Sequence, residues 1–202
     1  MGGLLLKDIY QMIRYCKIFL VIAALFTVLA FSGNGNLFFL LFLGIIGGML
    51  PMNLLAYDER DNWDIYANTL PYSRAQIVSV KYLIGLIIGA GLIILAAVLS
   101  VIMSDFRGLI WDLLLLLLTL NLLVTALVLP LTFKFGVAKG RIFYYVLLGI
   151  CFAVSFALAE LKKSMYIAFS VDFTMSNMVI VVIAIYLLSW LLSVRFYKKR
   201  QF

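Results

Sequence analysis

The sequence contains no histidine and only two cysteines, Cys16 and Cys151. The missing histidine excludes HExxH zinc sites, histidine-dependent serine hydrolases and haem ligation by histidine. Two widely separated cysteines support neither a disulfide framework nor a metal site. A phosphate-binding GxxxxGK(S/T) motif is also missing, so the chain has no motif of its own for ATP hydrolysis.

Charged residues are scarce as well. They make up 12% of the 202 residues, about half of the ~25% found in soluble domains. Hydrophobic residues make up 66% of the chain. No segment is polar enough to fold separately in water, so the composition predicts one transmembrane domain over residues 1–202.

Six apolar segments approach the ~20 residues that a helix needs to cross a bilayer. We predict spans at Ile18–Phe31, Leu37–Tyr57, Tyr82–Met103, Leu109–Phe133, Ile142–Leu161 and Met178–Phe196. The predicted fold is therefore an all-α polytopic membrane protein. Residues 162–177, between the last two spans, would form an outer segment that is either interfacial or re-entrant.

Residues 1–17 have the pattern of an amphipathic helix. Leu5, Ile9 and Met12 recur at helical spacing, whereas Lys7 and Arg14 lie on another face. Such a leader would lie among the lipid headgroups of the inner leaflet. A plain extension of the first span is the alternative.

Lysine and arginine are biased to one side of the predicted membrane. Of the 16, thirteen lie in the leader, residues 58–81, residues 134–141 and the C-terminal tail. The positive-inside rule then places these segments and both termini in the cytoplasm. Topology explains most of the net charge of +7, so nucleic-acid binding is not required to explain it.

Small residues form stripes on the second and third predicted spans. Gly44 and Gly48 form a GxxxG face, and Gly85 and Gly89 repeat it. Pro51 removes a backbone donor and should bend the second span. The stripes predict close helix packing, either within the subunit or between subunits.

Polar residues at membrane depth are few and uncharged. We single out Asn53, Asn121 and Thr125 as candidates for the wall of a transport pathway. Asn121 and Thr125 lie one turn apart and could instead hydrogen-bond to a neighbouring span, which we favour. An uncharged pathway would suit hydrophobic or amphipathic cargo.

Residues 58–81, DERDNWDIYANTLPYSRAQIVSVK, are the long polar interruption of the first hundred residues. A helix is predicted at its start, and Leu70 should end that helix because it precedes Pro71. Ser73 and Gln76 fit a capping box that would begin a second helix running into the third span. The sequence predicts a rigid helical hairpin rather than a flexible linker.

Four carboxylates lie within seven positions at the start of this segment. They are Asp58, Glu59, Asp61 and Asp64. A divalent metal is disfavoured because Arg60 lies among them and hard-ion sites usually need a more specific loop. Solvated charges or internal pairs with Arg74 or Lys81 remain one alternative, and docking to a soluble partner, which we favour, is the other.

Asp58-Glu59, then Leu70-Pro71-Tyr72-Ser73-Arg74, Gln76-Ile77-Val78 and Lys81-Tyr82-Leu83, form a combined pattern. With six spans and an amphipathic leader, this pattern resembles the permease subunit of a type-2 ABC exporter in its short bacterial form. Permeases that export amphipathic peptides, such as the phenol-soluble modulin exporter, are similar. The acidic, Trp-containing spacer departs from the family pattern. This departure puts in doubt which ATPase is matched, not the class of protein.

The resemblance implies a coupling helix that docks on a separate cytoplasmic ATP-binding subunit. The docking residues would be Asp58, Glu59, Arg60, Asp61, Trp63, Tyr66, Leu70, Pro71, Tyr72, Ser73 and Arg74. It also implies two permeases and two ATPases in a bacterial cell membrane, with ATP and Mg²⁺ in the partner subunit. This chain itself would bind membrane lipids, no cofactor and no metal, and would move amphipathic cargo, such as peptides, outward.

The substrate-binding membrane subunit of a vitamin-uptake transporter is the alternative, since such chains also have about 200 residues and six spans. The long cytoplasmic segment would have no evident role in that class. The chain lacks suitable catalytic groups for an intramembrane enzyme. Its predicted spans also lack the recurring polar stripe expected of a channel.

The predicted topology can be tested by cysteine labelling. With Cys16 and Cys151 replaced by serine, a cysteine at Ser73 should react with an impermeant maleimide only from the cytoplasmic side. Cysteines at Ser32 and Ser104 should react only from outside. The reverse pattern would refute the assigned orientation.

Overall fold

The computed structural model describes residues 2–15, 17–31, 37–102, 110–146, 149 and 175–199. Within these ranges the chain is helical and has no strand, so the all-α prediction is confirmed for them. The helices are α1 (Gly2–Tyr15), α2 (Lys17–Phe31), α3 (Leu37–Arg60), α4 (Trp63–Thr69), α5 (Arg74–Ile102), α6 (Ile110–Phe135), α7 (residues 137–146) and α8 (Met175–Lys199).

Three of the described helices are long and apolar enough to cross a membrane. They contain the stretches Arg74–Val98, Leu114–Phe135 and Met178–Lys199, and the bent pair of α1 and α2 is a fourth candidate. These helices make the chain a multi-pass membrane protein. The count of six spans stays a prediction, because most of Ile142–Leu161 and of residues 162–177 lies outside the described residues.

Helix α6 is at the centre of the described bundle. It packs against α3, α5 and α8, while α2 packs on α3 and α1 contacts α5. Pro51 is buried inside α3, which continues through it to Arg60. The helix therefore extends three residues beyond the predicted end of the second span at Tyr57, and it carries Asp58 and Glu59 on its last turn.

Asn121 lies fully buried where α3, α5 and α6 meet. With the side-chain amide oriented to satisfy its neighbours, its Nδ2 donates to the Gly85 carbonyl at 3.2 Å. Its Oδ1 accepts from the Gly48 N–H at 3.0 Å. The neighbouring Thr125 hydroxyl, also 0% exposed, donates to the Asn121 carbonyl at 2.8 Å and approaches the Gly48 carbonyl at 3.3 Å.

The small residues of α3 and α5 make room for this junction. A Cβ added at Gly44 would lie 3.0 Å from the Leu120 Cβ, and one at Gly85 would lie 2.9 Å from the Thr125 Cγ2. A Cβ at Gly89 would come within 2.8 Å of the Asn121 amide. These glycines therefore lie in contacts within the chain, the first of the two packing alternatives.

A second polar cluster joins α5, α6 and α8. The Tyr82 hydroxyl lies 2.7 Å from the hydroxyls of both Ser189 and Ser193. Ser189 donates to the Ala126 carbonyl at 2.6 Å, and Tyr186 donates to the Tyr82 carbonyl at 2.7 Å. These groups were not predicted from the sequence, because serine and tyrosine scattered through an apolar segment barely lower its mean hydropathy.

Gly48→Ala should lower the free energy of unfolding by about 1–3 kcal/mol through overpacking. Its added Cβ would lie 2.6 Å from the Val124 Cβ. Gly91→Ala in α5 is the matched control, because no described atom beyond its chain neighbours and the backbone of its own helix lies within 4 Å of its Cβ position. Since alanine favours the helix, the control should be neutral or stabilising by up to ~1 kcal/mol.

The comparison can be made by following helix loss during SDS titration of the purified protein in mixed micelles. Equal midpoints for the two variants would contradict the packing described at the Asn121 junction.

Candidate functional site

The polar segment 58–81, which we call the knob, is an ordered helical hairpin. Asn62 adopts a left-handed conformation with φ 52°, and α4 follows it. Leu70 is extended, with φ −80° and ψ 158°, so α4 ends before Pro71 as predicted. The Tyr72 N–H then donates to the Leu70 carbonyl at 2.7 Å in a three-residue turn.

The capping box at the start of α5 is confirmed in both directions. The Gln76 N–H donates to the Ser73 hydroxyl at 3.2 Å, and the Ser73 N–H donates to the Gln76 Oε1 at 2.9 Å. From Arg74 the helix continues without a break to Ile102. Displacement of the knob would thus pass directly into a membrane-spanning helix.

Two lysines and two aspartates form a closed ring at the base of the knob. The Lys81 Nζ donates to Asp8 at 2.7 Å and to Asp58 at 2.6 Å. The Lys7 Nζ lies 3.0 Å from the Asp8 carboxylate and donates a short hydrogen bond to Asp58. Each ammonium group therefore contacts both carboxylates, and we call this group the ionic ring.

The ionic ring is shielded from solvent and electrically balanced. Asp8 and Asp58 are each 2% exposed and Lys81 is 3% exposed, while Lys7 is half-buried. Such burial is tolerated only because every charge has hydrogen-bonded partners of opposite sign. The ring joins the last turn of α3 and the second turn of α5 to each other and to α1.

Helix α1 touches the knob at two further points. The Lys7 ammonium lies 4.4 Å from the centre of the Trp63 ring, a cation–π contact with the start of α4. A Cβ at Gly3 would lie 3.4 Å from the Tyr72 hydroxyl, so the Tyr72 side chain reaches the start of α1. The leader is therefore packed along the knob.

Other contacts tie the knob to the rest of the bundle. The Glu59 Oε2 accepts from the Val137 N–H at 3.0 Å and so caps the N-terminus of α7. Arg74 donates from Nη1 to the Lys198 carbonyl near the end of α8, at 2.8 Å. Glu59 and Arg74 were predicted to contact a partner subunit, and in this structure both bind neighbouring helices of the same chain.

The exposed face of α4 includes some, but not all, of the residues predicted to dock. Ile65 and Tyr66 are 59% and 56% exposed, whereas Ala67 is fully buried and Trp63 lies over Lys7. Ile65 was not selected from the sequence. Arg60, Asp61, Pro71 and Ser73 are exposed, and Leu70 and Tyr72 are half-buried.

Asp58 belongs to the base of the knob and not to its surface. Docking and internal pairing with Lys81 were alternatives for this carboxylate, and the structure shows the pairing. In the part of the chain that the structure describes, no group of three or more acidic, Cys or His side chains converges on a metal position.

The polar residues considered for a transport pathway do not line the apolar cavity between the helices. Asn121 and Thr125 are enclosed in helix contacts, and Asn53 is half-buried on α3. A cavity of about 290 Å³ instead lies among α1, α2, α3 and α5. Its lining is apolar and includes Met12, Phe19, Ala23, Leu50, Ile88 and Leu92.

Asp8 is the functional candidate that sequence reasoning missed. It is the only acidic residue among the first 57 positions, in an otherwise basic leader. Lys81 is likewise isolated between the capping box and the apolar part of α5. Isolated charges of opposite sign at the membrane boundary were the available signal for this pairing.

The helical fold and the apolar spans define a multi-pass membrane protein with a structured segment outside the membrane. A family model described as ABC-2 family transporter protein matches residues 3–198, almost the whole chain. The chain therefore belongs to the ABC-2 transporter family and is a permease component. A search of curated proteins returns no significant match.

Family membership carries two consequences. An ABC-2 permease associates with an ATP-binding subunit, which agrees with the missing phosphate-binding motif in this chain. The vitamin-uptake alternative is not favoured.

Lys81→Met should destabilise the protein by about 3–5 kcal/mol, because it leaves two buried carboxylates facing the single ammonium of Lys7. Asp8→Asn/Lys81→Met should recover part of that loss, since one balanced pair remains. Lys139→Met, at an exposed position of α7, is the control and should have little effect.

The unfolding midpoint in SDS titration is the measurement for all three variants. If Lys81→Met lowers the unfolding midpoint no more than Lys139→Met does, the ring is not a buried network.

Proposed function

We propose that this permease is the membrane subunit of an ATP-driven exporter and that the knob is its coupling element. In this proposal α4 docks in a groove of a cytoplasmic ATP-binding subunit. The observation that carries it is the pair of exposed apolar side chains, Ile65 and Tyr66, on a short helix outside the membrane-spanning stretches. Contiguous exposed apolar surface marks sites of interaction with proteins or membranes.

The shape of the knob supports a mechanical role. Pro71 separates two helices, and the capping box fixes the start of the second. The ionic ring clamps the two ends of the knob at Asp58 and Lys81. A push on α4 would therefore be transmitted into α3 and α5 instead of being absorbed by a flexible loop, as expected of a preorganised docking element.

The cargo in this proposal is amphipathic or hydrophobic, with peptides as the leading class. Support comes from the cavity among α1, α2, α3 and α5, whose described lining contains no charged side chain. Outward transport rests on the resemblance to short bacterial type-2 exporters. The same resemblance supports a complex of two permeases with two ATPases, in a bacterial cell membrane with both termini in the cytoplasm.

Ile65→Asp/Tyr66→Asp should abolish association with the ATP-binding subunit, because two charges would replace the apolar docking face. The tagged permease is co-expressed with each ABC ATP-binding subunit of its own genome and purified in mild detergent. Retention of the ATPase and its activity per permease are measured. We expect the native permease to retain one of the co-expressed ATP-binding subunits.

Ala138→Asp is the matched control, since it places a charge on an exposed position of the neighbouring α7. It should leave association intact. Equal retention by the control and by the α4 variant would show that α4 is not the docking face, and retention of no ATPase by the native permease would refute the proposed coupling.

A further inference from the structure

The leader helix α1 is joined to the knob by charges and not only by apolar contacts. All four pairings of Lys7, Asp8, Asp58 and Lys81 are made. Two of these residues come from the leader, and the other two mark the beginning and the end of the knob. The ring therefore connects three chain segments that are far apart in sequence.

We propose that Asp8 and Lys81 are coupling residues that make the leader move together with the knob. They act as positioning residues, since neither is exposed enough to contact a partner. This inference rests on the proposed function, because it needs the knob to be displaced by the ATP-binding subunit. It adds α1 to the moving parts and names the side chains that link it.

Stability alone is a poor explanation for the ionic ring. A buried ion pair contributes about as much net stability as well-packed apolar residues of similar volume, and often less. What charges add is a connection with defined geometry, because any separation of the partners leaves a buried charge unpaired. The ring is therefore suited to keeping α1 and the knob in fixed register while both are displaced.

Contacts beside the ring favour the same rigid unit. Trp63 at the start of α4 lies over the Lys7 ammonium, and Tyr72 approaches the backbone at Gly3. These contacts are spread along α1 and reach both α4 and the turn after it. The leader is thus held against the knob at more than one point, which prevents it from pivoting about the ring.

Movement of α1 would reach the apolar cavity. Met12 lies one turn beyond Asp8 on α1 and lines the cavity together with Ala23 of α2 and Leu50 of α3. If α1 follows the knob, each displacement of the knob changes the position of this wall. The ionic ring would then link nucleotide state to the shape of the cavity.

The test measures distances between spin labels in the permease–ATPase complex in lipid nanodiscs, with and without ATP and vanadate. Cysteines replace Tyr10 on α1, Thr69 on α4 and Leu188 on α8, all exposed positions, in a cysteine-free background. In the otherwise native permease the Tyr10–Thr69 distance should stay constant. The distances from both positions to Leu188 should shift together on trapping.

In Asp8→Asn/Lys81→Met the Thr69–Leu188 shift should remain and the Tyr10–Leu188 shift should be reduced, because one of the two ion pairs between the leader and the knob is lost. This variant keeps the balanced pair of Lys7 and Asp58. Lys139→Met, an exposed lysine outside the ring, is the control and should behave as the native protein.

A Tyr10–Thr69 distance that changes on trapping in the native permease would overturn the inference, and this measurement needs no ring variant to fold. An undiminished Tyr10 shift in Asp8→Asn/Lys81→Met would also overturn it. If the ATPase binds and Thr69 shifts, the proposed function stands even when the leader fails to follow. If Thr69 does not shift, both proposals fail.

Discussion

The ionic ring is the constraint on which the structure at this end of the bundle depends. Lys81 lies in an apolar helix, and its charge is tolerated there only because Asp8 and Asp58 both reach it. This requirement fixes the position of α1 and the length by which α3 extends beyond its apolar segment. It also fixes the position of Lys81, and so of α5, relative to these two helices. The exposed face of α4, which we propose as the docking face, is held in place by these same pairings, since the knob begins and ends at the ring.

Local features of the fold were predictable because they depend on neighbouring residues. Leu70 before Pro71 and the Ser73–Gln76 box each specify a helix end through sterics or hydrogen bonds within four positions. Of the ring, the sequence offered only the pairing of Asp58 with Lys81, as one alternative. The Asp8–Lys81 pair was missed, because the two residues are separated by 73 positions and periodicity carries no information on such pairs. The exposed face of α4 could not be identified from the sequence for the same reason, because Trp63 contacts Lys7, a residue outside the knob.

At the Asn121 junction a long-range contact was predicted, but its partners were not. The glycine stripes predicted close packing, and hydrogen bonding of Asn121 to a neighbouring span was the favoured alternative. What the sequence could not supply was the identity of the neighbours, since any of several helices could have met α6. The structure shows both α3 and α5, so a single amide satisfies two backbones that only glycine allows to approach this closely.

The charge balance of the ring has an electrical consequence. Its two ammonium groups and two carboxylates sum to zero within a few ångströms. Moving a net charge through a membrane potential costs or yields about 2.3 kcal/mol per charge per 100 mV, whereas moving a compact neutral group does not. Displacement of the ring would therefore be insensitive to voltage. The membrane potential would neither assist nor oppose a movement of the ring.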